Sequence, residues 1–407
     1  MTKPQIRILC VGLSWPPETF LARLIRGLAD AGVEVTVACK REPDSDWLPH
    51  PRLRWLYTPD WGSILPARLL RLGWMACRAM VKAPGDIRLF ASQIKSTQSR
   101  LERLRLWYKL LPFAGYRWDV IYFPWNFAAF NFFPLFDLNC PVVVSCRGSQ
   151  INVTSVASPD SVRPAIAAAL RATFKRAAAI HCVSEAIKLE AMKYGLDPEK
   201  ARVIRPAVDV DFFFPSEQCG PGDGTFRVVT TGSLVWVKGY EYALQSIRHL
   251  VDLGIAVQFD LIGEGPERQR ILYTIRDLGL EGRVHLHGRL EPKEVRDKLQ
   301  QADAFLLSSL SEGISNAVLE AMACGLPVVT TDCGGMREAV TTNVEGFVVP
   351  VRESQEMSQA LATLWEDAEL RARMGRAARK RVLQEFTLTQ QVINFASLCE
   401  NASGVKC

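Results

Sequence analysis

The chain has 407 residues, 48% hydrophobic and 23% charged, more than one hydrophobic core ordinarily organises, which points to two globular domains and excludes extended disorder. Its formal net charge is +6, and its eleven cysteines are scattered with no C-x-x-C pair, which argues against a disulfide framework or zinc ribbon and fits a reducing compartment. No stretch reaches the ~18 uninterrupted apolar residues that span a bilayer; the nearest, Val120 to Val144, is broken by Pro124, Asn126, Asn131, Pro134, Asp137 and Pro141.

The opening residues read as a β–α–β unit. Ile6–Val11 is a buried strand, Pro17–Ala31 an amphipathic helix stopped by Gly32, and Val33–Ala38 the next strand. Ile6–Val11 is too short for a secretory leader and runs straight into this unit, so the protein is read as cytoplasmic. The pattern blurs between Arg41 and Tyr116, where charge concentrates. Residues 1–110 hold 18 Lys and Arg against 9 Asp and Glu, and the ten basic residues between Pro66 and Lys109 face only Asp86 and Glu102. Leu65, Leu69, Leu72, Met75, Ala76, Ala79 and Met80 recur at near-helical spacing among Arg68, Arg71, Arg78 and Lys82. Two readings stand: a basic helix lying peripherally on the inner face of an anionic membrane, or a core-facing helix with a solvated basic side.

Strands resume at Val120–Phe123, Val142–Ser145 and Ala179–Val183. The Gly- and Pro-containing run 216–224 reads as a linker. Alternation then restarts, with strands Phe226–Thr231, Val257–Ile262, Arg283–Leu286, Ala304–Ser308, Pro327–Thr330 and Gly346–Val349. The helices between and after them are Tyr240–Leu253, Glu267–Leu278, Pro292–Gln300, Asn316–Ala323 and Gln355–Trp365. Such alternation predicts α/β architecture: two doubly wound domains in tandem, residues 1–215 and 225–385, with 386–407 a helix packing back on the first domain. The active site is expected in the cleft between them.

Chemistry concentrates in Ser308–Thr331. A strand ends near Ser308, a polar loop follows, and Ser315 or Asn316 caps a helix that Gly325 and Pro327 terminate. Small residues at Ser311, Gly313 and Ser315 let backbone N–H groups approach a ligand, and the helix N-terminus favours a diphosphate at Ser315–Ala317. Glu312 and Glu320 lie eight residues apart; if all eight steps were helical they would stand about 12 Å and about 80° apart. That spacing suits two ends of one extended ligand better than a metal pair or an acid–base dyad. The structural alternative is a surface loop glutamate and a solvated helix glutamate.

Glu312 and Glu320 resemble the E-x7-E motif of the group 1 glycosyltransferases (family 4, GT-B fold), within that family's E-G-x-x-N-x-x-x-E-A-M-A-x-G-x-P-V-V pattern. The similarity covers Phe226 to Pro350 well and the first half loosely. It implies two Rossmann-like domains facing across a cleft, and retaining transfer of a sugar, of hexosyltransferase type, from a nucleotide-diphosphate donor. The acceptor would be a glycan or lipid-linked glycan held by the first domain, in cell-surface polysaccharide or glycolipid synthesis. Neither metal nor cofactor is implied, and no nucleic-acid partner.

By the same resemblance Glu312 contacts the donor sugar, Glu320 the donor ribose, and Ser315 with the Asn316–Ala317–Val318 backbone the diphosphate. Thr231–Tyr240 is similar to the family's G-R-L-x-x-x-K-G loop: Lys238 matches, while Ser233 stands where Arg is usual. A serine hydroxyl donates one hydrogen bond but does not replace a fixed charge, and Arg205 is the candidate to compensate. Val284–Arg289 resembles the loop that receives the nucleobase, and Asp332–Val340 the G-G-x-x-E loop beside the donor sugar, with Glu338 matching. In the first half Glu18, a candidate acceptor or phosphate contact, and Thr19 replace the family's opening glycines, and Arg147-Gly148 stands in place of His-Gly. Arg147 either meets phosphate or an anionic acceptor, or pairs structurally with a carboxylate. His181 reads as a satisfied core histidine. The competing assignments are a nucleotide-sugar epimerase or a phosphorylase of the same fold, and a non-catalytic relative that binds nucleotide sugar.

Overall fold

The computed structural model describes residues 6–41, 50–59, 61, 65–95, 99–148, 151–152, 158–216 and 223–404. The expected linker therefore lies largely outside the described residues. In the first half the chain runs β1 (Arg7–Val11), α1 (Thr19–Asp30), β2 (Glu34–Cys39), β3 (Leu53–Tyr57), α2 (Leu65–Lys82), α3 (Pro84–Ile94) and α4 (Arg100–Leu110). It continues with β4 (Val120–Phe123), α5 (Asn126–Phe130), β5 (Val142–Cys146), α6 (Arg163–Arg176), β6 (Ala179–Cys182), α7 (Glu185–Lys193) and β7 (Ala201–Val203). These strands form one parallel sheet in the order β3-β2-β1-β4-β5-β6-β7.

The second half runs β8 (Phe226–Thr231), α8 (Tyr240–Asp252), β9 (Val257–Ile262), α9 (Arg268–Asp277), β10 (Val284–Gly288), α10 (Pro292–Gln301), β11 (Ala304–Leu307) and α11 (Asn316–Ala323). Then come β12 (Val328–Thr331), α12 (Met336–Ala339), β13 (Gly346–Val349), α13 (Ser354–Glu366), α14 (Ala368–Glu385) and α15 (Leu388–Ser403). Its parallel sheet has the order β10-β9-β8-β11-β12-β13. Both sheets reverse strand order once, between β1 and β4 and between β8 and β11. At such switch points two adjacent loops diverge and leave a crevice at the carboxyl ends of the strands.

Both faces of the first sheet are covered. Leu9, Val11, Ile121, Phe123 and Val144 point into one apolar layer, and Ile8, Cys10, Val35, Tyr122 and Val143 into the other. Period-2 alternation with apolar residues on both sides gives the continuous hydrophobic runs seen in the sequence. The last helix belongs to the second of these layers. Val392, Phe395, Leu398 and Cys399 of α15 are buried there beside α1, with the Phe395 ring 4.7 Å from that of Tyr122. Gly27 makes this packing possible, because a Cβ at that position would lie 2.5 Å from Val392 Cγ2.

The blurred segment holds β3, α2, α3 and α4. Met75 and Ala79 of α2 are buried in the core, while Leu69, Leu70, Trp74, Met80 and Val81 are exposed. The helix thus packs one face inward, as the core-facing reading expects, and presents large apolar residues beside Arg71 and Arg78 on the other. No described helix is long and apolar enough to cross a membrane.

Candidate active site at the second switch point

The loops after β8 and β11 are stitched together. Leu310 N–H donates to the Val237 carbonyl (2.7 Å) and the Ser308 hydroxyl to the Lys238 carbonyl (2.9 Å). Gly239, at φ +60°, sits where a Cβ would lie 2.4 Å from the Ser308 carbonyl oxygen, so only glycine permits this approach. The stitching brings Lys238 Nζ to 2.5 Å from Glu312 Oε1, which also accepts from the Ser309 hydroxyl at 2.8 Å. The two charged side chains are 20% and 14% exposed, so they are held in a crevice rather than on the surface.

The N-terminus of α11 opens beside them. Ser315 is buried and occupies the N-cap, but its side chain makes no capping bond. Among the described residues nothing accepts from the N–H groups of Asn316, Ala317 and Val318, and the buried Asn316 Oδ1 has no partner. Buried polar groups are almost always paired, so an orphaned amide next to three free N–H groups marks a place shaped for a ligand. The eight-residue α11 directs its dipole there and favours an anion.

Glu320 lies one turn further along α11, with Arg23 of α1 at 3.9 Å across the cleft. Burial pushes its carboxyl up to about 7, and the Arg23 charge only partly opposes this. The first sheet also approaches the Glu312 loop directly. A Cβ on Gly148 would lie 2.5 Å from Gly313 N, and Gly335 N–H donates to the Gly313 carbonyl at 2.7 Å. Gly334, at φ +60°, leaves only 1.8 Å between its own would-be Cβ and the Glu312 carbonyl oxygen.

The remaining candidates divide. Arg205 Nη2 lies 3.3 Å from Glu338 Oε2, while Glu338 Oε1 accepts from Ala186 N–H at the start of α7 (3.1 Å). Both carboxylate oxygens of Glu338, and the guanidinium of Arg205, are thus engaged in joining the two halves of the chain. Ser233 is exposed; its carbonyl, not its hydroxyl, accepts from Tyr240 Oη. Arg289 is exposed directly after Gly288, whose carbonyl accepts from Gly263 N–H (2.8 Å). Glu18 is exposed and forms the N-cap of α1 without a side-chain capping bond.

Arg147 has no carboxylate partner among the described residues. Its Nε donates to the Pro124 carbonyl (3.2 Å), and its guanidinium stacks over Phe20 (4.6 Å) and Trp125 (5.6 Å). His181 is buried and fully satisfied: Nε2 donates to the Ile204 carbonyl at 2.8 Å, and Nδ1 accepts from Ser145, 2.6 Å away. Burial and the Arg147 charge push it down to about 3, so it stays neutral.

The sequence contains two Asp-x-Asp tripeptides, Asp44–Asp46 and Asp209–Asp211. The first lies outside the described residues. In the second, Asp209 Oδ1 accepts from the N–H groups of Asp211 and Phe212 and shapes a turn. Among the described residues no group of three His, Cys, Asp or Glu side chains is placed to hold a metal ion.

Comparison with known proteins places this site in context. Residues 17–212 match the model described as Glycosyltransferase Family 4, and residues 216–381 that of Glycosyl transferases group 1. WcaL of Escherichia coli (strain K12), a glycosyltransferase assigned by its name to colanic acid biosynthesis, is 34% identical over 209 residues, 50% of this chain and 51% of WcaL. The amylovoran biosynthesis glycosyltransferase AmsK of Erwinia amylovora is 31% identical over 229 residues, 54% of this chain and 52% of AmsK. The chain thus spans about half the length of these relatives in the matched region. Among solved structures, Anabaena Alr3699/HepE in complex with UDP and glucose superposes with a TM-score of 0.69 at 20% identity, covering 97% of this chain and 99% of that one. Sucrose-phosphate synthase from Thermosynechococcus elongatus gives 0.75 at 17% identity, covering 99% and 100%. These neighbours share the fold, two Rossmann-like domains of the GT-B type. With one family model on each half, the chain belongs to the group 1 glycosyltransferases of family 4.

Proposed function

We propose that the protein is a retaining glycosyltransferase that moves a hexose from a nucleoside-diphosphate donor to a glycan or lipid-linked acceptor, in the synthesis of a cell-surface polysaccharide or glycolipid. The observation that carries this reading is the Lys238–Glu312 pair at the β8/β11 switch point, beside the open N-terminus of α11. A partly buried ion pair costs desolvation and adds little stability, so its value here lies in what it exchanges for. An incoming diphosphate takes Lys238 and the free N–H groups of Asn316–Val318. That releases Glu312 to accept hydrogen bonds from the donor sugar hydroxyls, while Glu320 accepts from the ribose.

Transfer breaks the bond between the sugar anomeric carbon and the β-phosphate oxygen, and the bonding pair leaves with the phosphate. The acceptor hydroxyl oxygen bonds to that carbon from the same face, and its proton passes to the departing phosphate. Lys238 and the α11 dipole stabilise the charge that develops, and Glu312 orients the sugar. With Ser233 where Arg is usual, Lys238 is the fixed cation of that loop. The reading involves no metal or cofactor. The exposed Leu70, Trp74 and Val81 of α2, interspersed with Arg71 and Arg78, support a peripheral contact with an anionic membrane that would present a lipid-linked acceptor.

The test is a donor screen by nucleotide release, starting with UDP-glucose, followed by Glu312→Ala and Glu320→Ala and by the anomeric configuration of the product. Release that depends on acceptor, is lost in both variants and retains configuration supports the reading. Release that survives both changes, or epimer formed without acceptor, overturns it.

A further inference from the structure

The first sheet has its own switch point, between β1 and β4, and a crevice of about 1220 Å³ opens there. The loop after β1 (Gly12–Trp15) forms one wall and α5 with its continuation (Ala128–Phe132) another. The end of β2 supplies Lys40 and Arg41, and α4 supplies Arg105 and Lys109; Glu102 is the one carboxylate among the described lining residues. Arg105 and Lys109 are four residues apart on one helical face, an arrangement that repels by itself and is relieved by an anion between them. Among the described residues Lys109 forms no ion pair; its Nζ sits 4.1 Å from the centre of the Phe132 ring. Burial, and secondarily the neighbouring Lys40, push its ammonium down to about 8. Trp15, Trp61 and Phe132 add flat apolar walls.

The two switch points resemble each other in a further respect. Asn316 opens the helix after β11 with its Oδ1 orphaned, and Asn126 opens the helix after β4, fully buried, with neither amide heteroatom partnered.

We propose that the β1/β4 crevice is the acceptor site and that it takes a saccharide bearing a negative charge, a phosphate or a carboxylate, close to a sugar face that stacks on its aromatic wall. This rests on the glycosyl-transfer reading above and names the substrate class of its second site. The cations hold the anionic group and the aromatic rings hold the sugar face. The acceptor is thereby placed in the domain that meets the Glu312 loop through Gly148.

The full chain saturated with UDP is titrated with methyl glucoside 6-phosphate, methyl glucuronoside and neutral methyl glucoside, read by tryptophan fluorescence because Trp15 and Trp61 line the crevice. At least one charged glycoside is expected to bind about ten-fold or more tightly than the neutral one. Lys109→Met and, independently, the exposed Arg105→Gln should each weaken it about five-fold or more with UDP affinity unchanged. The phosphate arm identifies a phosphorylated or lipid-phosphate acceptor, and the glucuronoside arm a uronic acid. Equal binding of the neutral glycoside, no binding of either charged one, or indifference to both variants overturns the proposal. If UDP itself does not bind, the donor reading fails as well; if UDP binds and charge does not matter, this inference fails alone.

Discussion

Replacing Glu320 by glutamine should stabilise the protein at pH 8 and hardly at all at pH 5. In the folded chain burial raises the Glu320 carboxyl from 4.5 to about 7, although its side chain is 21% exposed and Arg23 lies 3.9 Å away. A carboxyl whose folded pKa is raised binds more protons when folded than unfolded. Its favourable contribution is therefore complete below the unfolded value and lost as pH rises through the folded one, a window here of 4.5 to about 7. At 1.36 kcal/mol per unit, the deficit against a neutral side chain is about 0.8 kcal/mol at pH 5 and about 3 kcal/mol at pH 8. Glutamine has the same shape and no charge to bury, so Glu320→Gln should gain about 2.5 kcal/mol on wild type between pH 5 and pH 8, or roughly 5–10 °C in melting temperature. Thermal unfolding at both pH values measures it. A melting difference that is equal at the two pH values, or a less stable variant at pH 8, would refute this account of the burial of Glu320. The same carboxylate should matter to the donor in the opposite sense. Ribose hydroxyls favour the ionised form, so UDP should bind about ten-fold more weakly at pH 6 than at pH 8, with that component absent in Glu320→Gln.

Lys238→Met should lower kcat by about 10²–10³ by removing the fixed cation at the leaving group, and a variant within ten-fold of wild type would place that charge elsewhere. Gly334→Ala pushes a methyl group into the Glu312 carbonyl from a left-handed conformation; it should cost about 2 kcal/mol or more of stability and weaken UDP binding, as read by denaturant titration and calorimetry. Gly148→Ala should separate the two domains at Gly313, reducing acceptor-dependent transfer about ten-fold or more while UDP affinity holds; unchanged transfer would show that the close approach is dispensable. Arg205→Ala should change UDP affinity less than about two-fold, because its guanidinium serves Glu338, and a loss of about ten-fold or more would return it to the phosphate site.

Much of the second half is legible in the sequence because buried parallel strands and amphipathic helices carry strong local patterns. Phe226–Thr231, Val257–Ile262 and Asn316–Ala323 have the same bounds in both readings. The first half is harder for identifiable reasons. Leu53–Tyr57 is an edge strand interrupted by Arg54, and Ala201–Val203 is a three-residue edge strand, so neither has a run long enough to register. In α4 charges and leucines are mixed around the whole circumference, because the crevice beside it takes basic residues where a core-facing helix would carry apolar ones.

The sequence by itself determined the order of elements, the two-domain plan and the Glu312–Glu320 segment. These are local matters of hydrophobic period, turn chemistry and spacing within a single loop and helix. Only the tertiary structure decided who partners whom. Lys238 and Glu312 are 74 residues apart and meet because strand order reverses between β8 and β11. Arg205 lies 133 residues from Glu338 and pairs with it across the two halves of the chain. The cations of the first crevice come from the end of β2 and from α4, and nothing in their spacing announces that they face one another. Such pairings follow from how the sheets wind and how the glycines let the two halves touch, which no local pattern encodes.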